Sequence, residues 1–324
     1  VSGSLTFFQL EGMPIPTSHI YSTGSATVRG LDVCTLALSS DVKKLLSLHE
    51  TLAGLTPDAT HTSGIGIDTT EDNSFILVRG QDLSAHAGGL VLVTDSSGNR
   101  AWAWLKAASG STSYDSNQIS NSDFESGVSP WSSANSASLA AVDGGVTGDC
   151  LEVTENGGGW PAAFLSLSVV KNALYDVESY LKQGTQTDAY MQFYDSGWAS
   201  LSSLWPSASA TWEQQSLFLN AENTETVHGY LGHTASSGSG LTIYYDDAVF
   251  RRVLAPGSEG LLCFKSDGTT RGWAGWEPDF DPNAIASAKF YPAETGVHSG
   301  TALITWTPGF DPVDAVADQN IIAV

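Results

Sequence analysis

The chain has 324 residues, too many for one ordinary hydrophobic core, so two or three domains are expected. Hydrophobic residues make up 41%, which argues against disorder, and the formal net charge of −22 argues against partners such as nucleic acid or an anionic membrane. No apolar run reaches the roughly 18 residues that a membrane-spanning helix needs. The N-terminus lacks the basic and apolar regions of a signal peptide, although one could already have been removed.

The first segment, residues 1–117, reads as a β-rich base with one helix. Apolar residues recur at helical spacing over residues 41–52, which predicts an amphipathic helix. Strand-like runs follow, and the last of them, VLVTDSSGNRAWAW, predicts a hairpin that turns over residues 95–99. The small, polar residues 106–118 are typical of a linker. Cys34, Cys150 and Cys263 are odd in number and far apart, which favours buried free thiols over disulfides.

Residues 118–254 form a second unit of short alternating strands without a convincing helix, a pattern typical of a β-sandwich. Residues 255–324 again contain strand-like runs and end in an apolar tail, 321–324, which is expected to pack on another subunit or on its own base. The predicted fold is therefore mostly β, with a sandwich inserted between the two parts of a β-rich base.

Four segments of the middle unit resemble a known family. NQISNSDFESGVSPW, ALYDVESYLK, ATWEQQSLFLNA and LTIYYDDAVFRRV are similar, in this order, to signature strands of the jelly-roll carbohydrate-binding modules found beside xylanases and glucanases. The resemblance implies a jelly roll with Trp131 and Trp212 in its core.

The flanking arrangement, VLVTDSSGNRAWAWLKAA followed by a linker and N-x-D-F-E, is similar to virion proteins of tailed bacteriophages. This resemblance implies a non-enzymatic virion structural protein that displays the module toward host-surface glycans. Other virion subunits would be its partners, in a homo-oligomer or symmetric assembly. The alternatives are a secreted accessory protein of a bacterial polysaccharide-degrading system, an architectural capsid or tail protein without sugar binding, and a lyase or hydrolase.

The carbohydrate-binding family often holds one structural Ca²⁺ near the joined chain ends, and hard cations prefer carboxylate oxygens. The matching positions are Asp123 or Glu125 at the start and Asp246 or Asp247 at the end. The alternative is an Asx-type turn at Asp123, with the closing pair facing water.

Period-two alternation predicts a glycan-binding face. In residues 174–182 the apolar set, Tyr175, Val177 and Leu181, should face the core. If this strand and residues 189–194 share a sheet, its outer face combines rings that stack on sugars with planar polar groups that bind hydroxyls. The predicted set is Asp176, Glu178, Tyr180, Tyr190, Gln192 and Tyr194. The carboxylates favour a neutral glycan.

Three further tryptophans, Trp160, Trp198 and Trp205, lie in loops rich in glycine, serine and proline. Each could contact a ligand, pin its loop to the domain, or bury against a neighbouring subunit. No motif of a hydrolase, metalloprotease or phosphate loop is present, so a non-enzymatic protein is predicted. His228 and His233 have no ligand partner at useful spacing and read as ordinary surface or core histidines.

Overall fold

The computed structural model describes residues 57–291, with gaps at 158, 235–239 and 266–268, and one separate strand pair. That pair is β1 (Gln9–Leu10) with β21 (Gln319–Asn320), which run antiparallel. The chain divides into two compact units, Pro57–Ala293 and the two flanking segments together. The predicted helix 41–52, Cys34 and the tail 321–324 lie outside the described residues. Among the described residues, none belongs to a helix long and apolar enough to cross a membrane.

One antiparallel sheet of eight strands, here called the base sheet, contains strands from both sides of the middle segment. Its strands are β2 (Ala59–His61), β3 (Ile65–Asp68), β4 (Phe75–Val78), β5 (Leu90–Asp95), β6 (Arg100–Ala107), β18 (Gly260–Phe264), β19 (Gly275–Trp276) and β20 (Ile285–Tyr291). Their order is β2-β20-β5-β6-β18-β4-β3, with β19 beside β6. Short 3-10 helices occupy Ser84–His86 and Gly257–Glu259.

The base sheet curls until β3 contacts β20, so one of its faces encloses a core. Alternation sets which residues enter this core: Ala101, Ala103 and Leu105 of β6 are buried there. Trp104, on the other face, is 44% exposed. At the predicted turn, Asp95 Oδ1 accepts hydrogen bonds from the backbone N–H groups of Ser97 and Asn99.

The middle segment forms a sandwich of two antiparallel sheets, which confirms the predicted mostly-β jelly roll. The first, here called the inner sheet, has the order β15-β12-β17-β10-β9, with β7 paired to the end of β17. Its strands are β7 (Thr112–Tyr114), β9 (Ala137–Asp143), β10 (Asp149–Glu155), β12 (Leu174–Gln183), β15 (Glu213–Asn220) and β17 (Thr242–Pro256). The predicted linker 106–118 is thus partly wrong, because β7 hydrogen-bonds to β17.

The second sheet, here called the outer sheet, has the order β14-β13-β16-β11-β8. Its strands are β8 (Ser132–Ala134), β11 (Ala162–Ser168), β13 (Ala189–Asp195), β14 (Ser200–Leu204) and β16 (Thr226–His233). The core between the sheets contains the predicted inward set, Tyr175, Val177 and Leu181, together with Met191 and Phe193.

The two tryptophans of the family-like segments differ in burial. Trp131 is buried in the sandwich core, as predicted. Placing Trp212 in the core was wrong. It is half-buried beside Lys182, which points away from the core, and its Nε1 donates to the carbonyl of Gly144 at 3.2 Å.

The two cysteines that the structure describes, Cys150 and Cys263, are buried free thiols, as predicted. Burial raises the pKa of Cys150 to about 11, so this thiol is protonated at neutral pH.

The base sheet packs on the side of the inner sheet that faces away from the sandwich core. Phe75 and Leu77 of β4 contact Leu174 and Val253 of the jelly roll in a small apolar cluster. Gly66 of β3 allows this close approach, since a Cβ there would lie 2.7 Å from the ring of Phe218. One face of the sandwich is therefore covered along this contact.

A buried carboxylate joins the two parts across this contact. Asp176 of β12 has no solvent exposure. Its Oδ1 lies 2.6 Å from Nη2 of Arg79, in the loop after β4, and its Oδ2 lies 2.8 Å from Nη2 of Arg251 on β17. The two guanidinium groups also lie over the rings of Phe218 and Tyr114, at 4.3 and 3.9 Å from the centroids. Asp176 thus receives two charged partners, one from each side of the contact.

We expect Asp176→Ala to lower the free energy of unfolding by about 3 kcal/mol, because it leaves two arginines without their buried partner. Glu225→Ala is the control. It removes the pair with Lys171 at 3.4 Å, in which the glutamate is 77% exposed, and should cost at most about 1 kcal/mol. Chemical denaturation measures both losses, and equal losses would contradict the role given to Asp176.

A second carboxylate, Asp68 of β3, also connects the base sheet to the jelly roll. Its Oδ2 accepts a hydrogen bond from the backbone N–H of Leu174 at 3.1 Å, and its Oδ1 accepts from the backbone and hydroxyl of Thr70. Burial raises the pKa of Asp68 to about 6 despite these hydrogen bonds. The folded protein therefore holds this proton more tightly than the unfolded chain does.

The sign of the pH dependence follows from that shift. Stability from Asp68 is fully present below its unfolded pKa, near 4, and is lost as pH rises through about 6. From about pH 7 to about pH 4.5 this carboxyl should add about 2 kcal/mol, which Asp68→Asn removes. The difference in unfolding free energy between wild type and variant should therefore grow on acidification. A difference that stays constant with pH would refute this assignment.

Candidate functional site

The predicted glycan-binding face is divided between two sheets. Asp176, Glu178 and Tyr180 lie on β12 in the inner sheet, whereas β13, with Tyr190 and Tyr194, lies in the outer sheet. The prediction that they share a face was wrong, because alternation shows which side chains leave the core but not which sheet a strand joins. The chain crosses between the sheets after β12.

The β12 residues of the predicted set face the base sheet or its border. Asp176 is enclosed by its arginines, and Glu178 is engaged by Arg79 at 2.9 Å and by Gln214 at 3.1 Å. Tyr180 is half-buried on the same sheet, at a β-bulge. The structure therefore does not bring these three residues to the tyrosines of β13.

The side of the outer sheet that faces away from the core carries a continuous aromatic surface. Adjacent positions on three strands supply it, since Phe164 of β11 and Gln192 of β13 both lie opposite Tyr230 of β16. Tyr194 lies opposite His228 in the same register. Their side chains alternate with the core residues of these strands.

Trp198 lies just beyond one end of β13, with its indole ring exposed. Its ring stacks on His228, with centroids 4.2 Å apart and planes at 14°, and on Phe164 at 6.1 Å and 28°. Asp195 fixes the turn that places it, because its Oδ1 accepts the N–H groups of Gly197 and Ala199, each at 2.8 Å. Trp198 remains 54% exposed. We call this group the Trp198 cluster, which comprises Phe164, Tyr194, Trp198, His228 and Tyr230.

At the other end of β13, two tryptophans stand on a buried tyrosine. Trp160 and Trp205 meet edge to face, with centroids 5.3 Å apart and planes at 89°. They are 49% and 46% exposed, whereas Tyr190 between them is 2% exposed and donates its hydroxyl to the carbonyl of Trp160 at 2.9 Å. Burial raises the pKa of Tyr190. In this group, the Trp205 cluster, the tryptophans present the contact surface and Tyr190 supports them.

Two further residues hold Tyr190 in place. A Cβ at Gly232 of β16 would lie 2.7 Å from the tyrosine ring, so glycine is needed there for the ring to lie flat. From the opposite sheet, the buried hydroxyl of Tyr245 lies 2.5 Å from the carbonyl of Gly232 and 3.0 Å from that of Tyr190. The Trp205 cluster thus rests on a tightly packed support.

Sequence reasoning missed Phe164, Tyr230 and His228. His228, interpreted from the sequence as an ordinary surface or core histidine, lies with its ring under Trp198 and its Nδ1 2.9 Å from Ser166 Oγ. The available signal was the alternation of β11 and β16, whose outward positions carry these rings.

Among the residues that the structure describes, no lysine or arginine belongs to a strand of this aromatic surface. The middle segment has only Lys171, Lys182, Arg251 and Arg252 as bases, and none belongs to a strand of the outer sheet. The surface therefore combines exposed rings with amide and hydroxyl groups such as Gln192 and Ser203. It can stack on apolar faces and bond hydroxyls, and the described part of the chain supplies no lysine or arginine there to pair with an anion.

Two of the predicted calcium ligands, Asp246 and Glu125, already accept backbone hydrogen bonds. Asp246 is buried, with Oδ2 accepting from the N–H of Val146 at 2.6 Å and Oδ1 from that of Asp247 at 2.8 Å. Glu125 accepts from the N–H of Asp149 at 2.8 Å. Among the residues that the structure describes, no three His, Cys, Asp or Glu side chains are placed to hold a metal ion. Burial, together with Asp123 and Glu125, raises the pKa of Asp247. Calcium at Asp123, Glu125, Asp246 and Asp247 stays a prediction.

No family model matches the sequence, and no curated protein does. Solved structures with a similar fold include TmCBM61, determined with β-1,4-galactotriose, at 14% identity and a TM-score of 0.36, covering 43% of this chain and 99% of that one. The CBM22-1 xylan-binding domain of Paenibacillus barcinonensis Xyn10C has 16% identity and a TM-score of 0.36, covering 46% and 99%.

The enzymatically active domain of bacteriophage CBA120 tailspike protein 4 is also similar, at 12% identity and a TM-score of 0.34. This match covers 42% of the present chain but only 21% of the tailspike chain. Each of these similarities covers less than half of this chain.

The calcium prediction can be tested on the titration of Asp247, followed by NMR of its carboxyl carbon. We expect Glu125→Gln to lower the pKa of Asp247, because it removes one neighbouring negative charge. In wild type, calcium bound at this carboxylate would lower the pKa of Asp247 relative to its value without calcium. An Asp247 titration unaffected by calcium, together with an unchanged melting temperature in chelator, would contradict the metal site.

Proposed function

We propose that the outer sheet binds neutral glycans through its aromatic surface, without chemical conversion of the ligand. The observation that supports this most directly is the exposure of Trp160, Trp198 and Trp205 on one face, each about half exposed and each packed on another aromatic ring. Rings held in this way present flat faces at little further entropic cost, and flat apolar faces suit the C–H side of a pyranose.

The charge distribution supports a neutral ligand. A net charge of −22, together with an aromatic surface to which the described residues contribute no lysine or arginine, would repel uronates, sulfated sugars and other polyanions. Gln192 and the serine hydroxyls of β14 provide donors and acceptors that match sugar hydroxyls instead.

The sequence resemblance to phage virion proteins supports a proposal about the particle to which this module belongs. We propose a structural protein of a phage virion, in a symmetric assembly, that displays the outer sheet toward host glycans. A secreted accessory protein of a polysaccharide-degrading system is the alternative, and so is an architectural particle protein without sugar binding. Light scattering and electron microscopy of the full chain separate a symmetric assembly from a monomer, while glycan binding excludes the purely architectural alternative.

We expect Trp198→Ala to weaken binding to neutral oligosaccharides about tenfold, corresponding to about 1.4 kcal/mol, because it removes one stacking ring. Trp104→Ala is the matched control, since this tryptophan is similarly exposed, at 44%, but lies on the base sheet. Isothermal titration with neutral and anionic oligosaccharides measures both variants, and their melting curves verify folding. Equal binding by Trp198→Ala and Trp104→Ala, or a preference for the anionic sugars, would contradict the proposal.

A further inference from the structure

The two aromatic clusters lie at opposite ends of one strand. Tyr190 of the Trp205 cluster and Tyr194 of the Trp198 cluster both point outward from β13 and are four residues apart. At about 3.4 Å per residue, the two positions are roughly 14 Å apart. A single pyranose ring is much shorter than this span and can occupy only one cluster at a time.

Polar groups line the stretch between the clusters. Gln192 lies midway along β13, half-buried, with Ser203 of β14 beside it and Tyr230 of β16 on its other side. Trp205 Nε1 donates to Ser203 Oγ at 3.0 Å, which ties this polar stretch to the Trp205 cluster. Ring, polar stretch and ring therefore follow one another along the strand.

We propose that this surface takes an internal stretch of an extended neutral glycan chain that lies along β13 and contacts both clusters at once. The inference rests on the proposed function and adds the length and direction of the ligand. The chain stacks on Trp198 at one end and on Trp205 or Trp160 at the other, while Gln192 and Ser203 bond hydroxyls between them. Binding at the two clusters is coupled through the ligand, as two linked sites are.

Affinity should therefore depend on chain length. Wild type is expected to bind monosaccharides weakly, to gain at least tenfold in affinity as the chain becomes long enough to reach the second cluster, and to gain little beyond that length. Trp198→Ala and Trp205→Ala should each remove that gain, so that a long chain binds either variant about as weakly as a short chain binds wild type. The double variant should lose less than the product of the two single losses.

The experiment is a titration of the full chain with gluco-, xylo-, manno- and galacto-oligosaccharides of increasing length, using wild type, both single variants and the double variant. Trp104→Ala serves as control and should keep the full length dependence. The melting temperature of each variant is measured in parallel.

The outcomes separate the two proposals. Wild type that binds no neutral sugar of any length overturns the proposed function and this inference together. Wild type that binds with an affinity independent of length, or single variants that keep the length dependence, overturns only the extended-chain inference. A loss of length dependence in both single variants, at unchanged melting temperature, supports it.

Discussion

The buried carboxylate of Asp176, held between Arg79 and Arg251, is the contact on which the arrangement of the described unit depends. A buried charge is tolerated only when its partners are in place, so this contact fixes the base sheet against the inner sheet of the jelly roll. The apolar cluster around Phe75 and Leu174 reinforces it. Because the inner sheet is covered along this contact, the aromatic surface of the outer sheet necessarily faces away from the base sheet.

The free face has the properties expected of a binding surface rather than of a solvated one. Three half-exposed tryptophans on one sheet are an unusual composition for a surface of so acidic a chain. Each is held by specific neighbours: Trp198 by His228, and Trp160 and Trp205 by Tyr190. The structure thus keeps these rings in position before any ligand arrives, which lowers the entropic cost of binding.

Local pattern predicted much of the fold but only part of the site. Alternation correctly predicted that Tyr175 and Val177 face the sandwich core and that Asp176 faces away from it, because the alternating polar and apolar residues of a strand show which of its faces packs on the core. It could not show that β12 and β13 join different sheets, nor that Arg79, 97 residues before Asp176, would cover that carboxylate. Such contacts depend on tertiary packing. The loop tryptophans were recognised as candidates, but their common face emerged only from the arrangement of the outer sheet.

The central claim is that neutral glycans bind to the outer sheet while the base sheet covers the inner sheet. NMR of the tryptophan indole N–H groups, during titration with neutral oligosaccharides, tests this claim most directly. We expect the signals of Trp160, Trp198 and Trp205 to shift in a saturable manner, while those of Trp104 and Trp212 stay in place. Shifts at Trp212, which lies beside the inner sheet, with the signals of Trp160, Trp198 and Trp205 unchanged, would contradict this expectation.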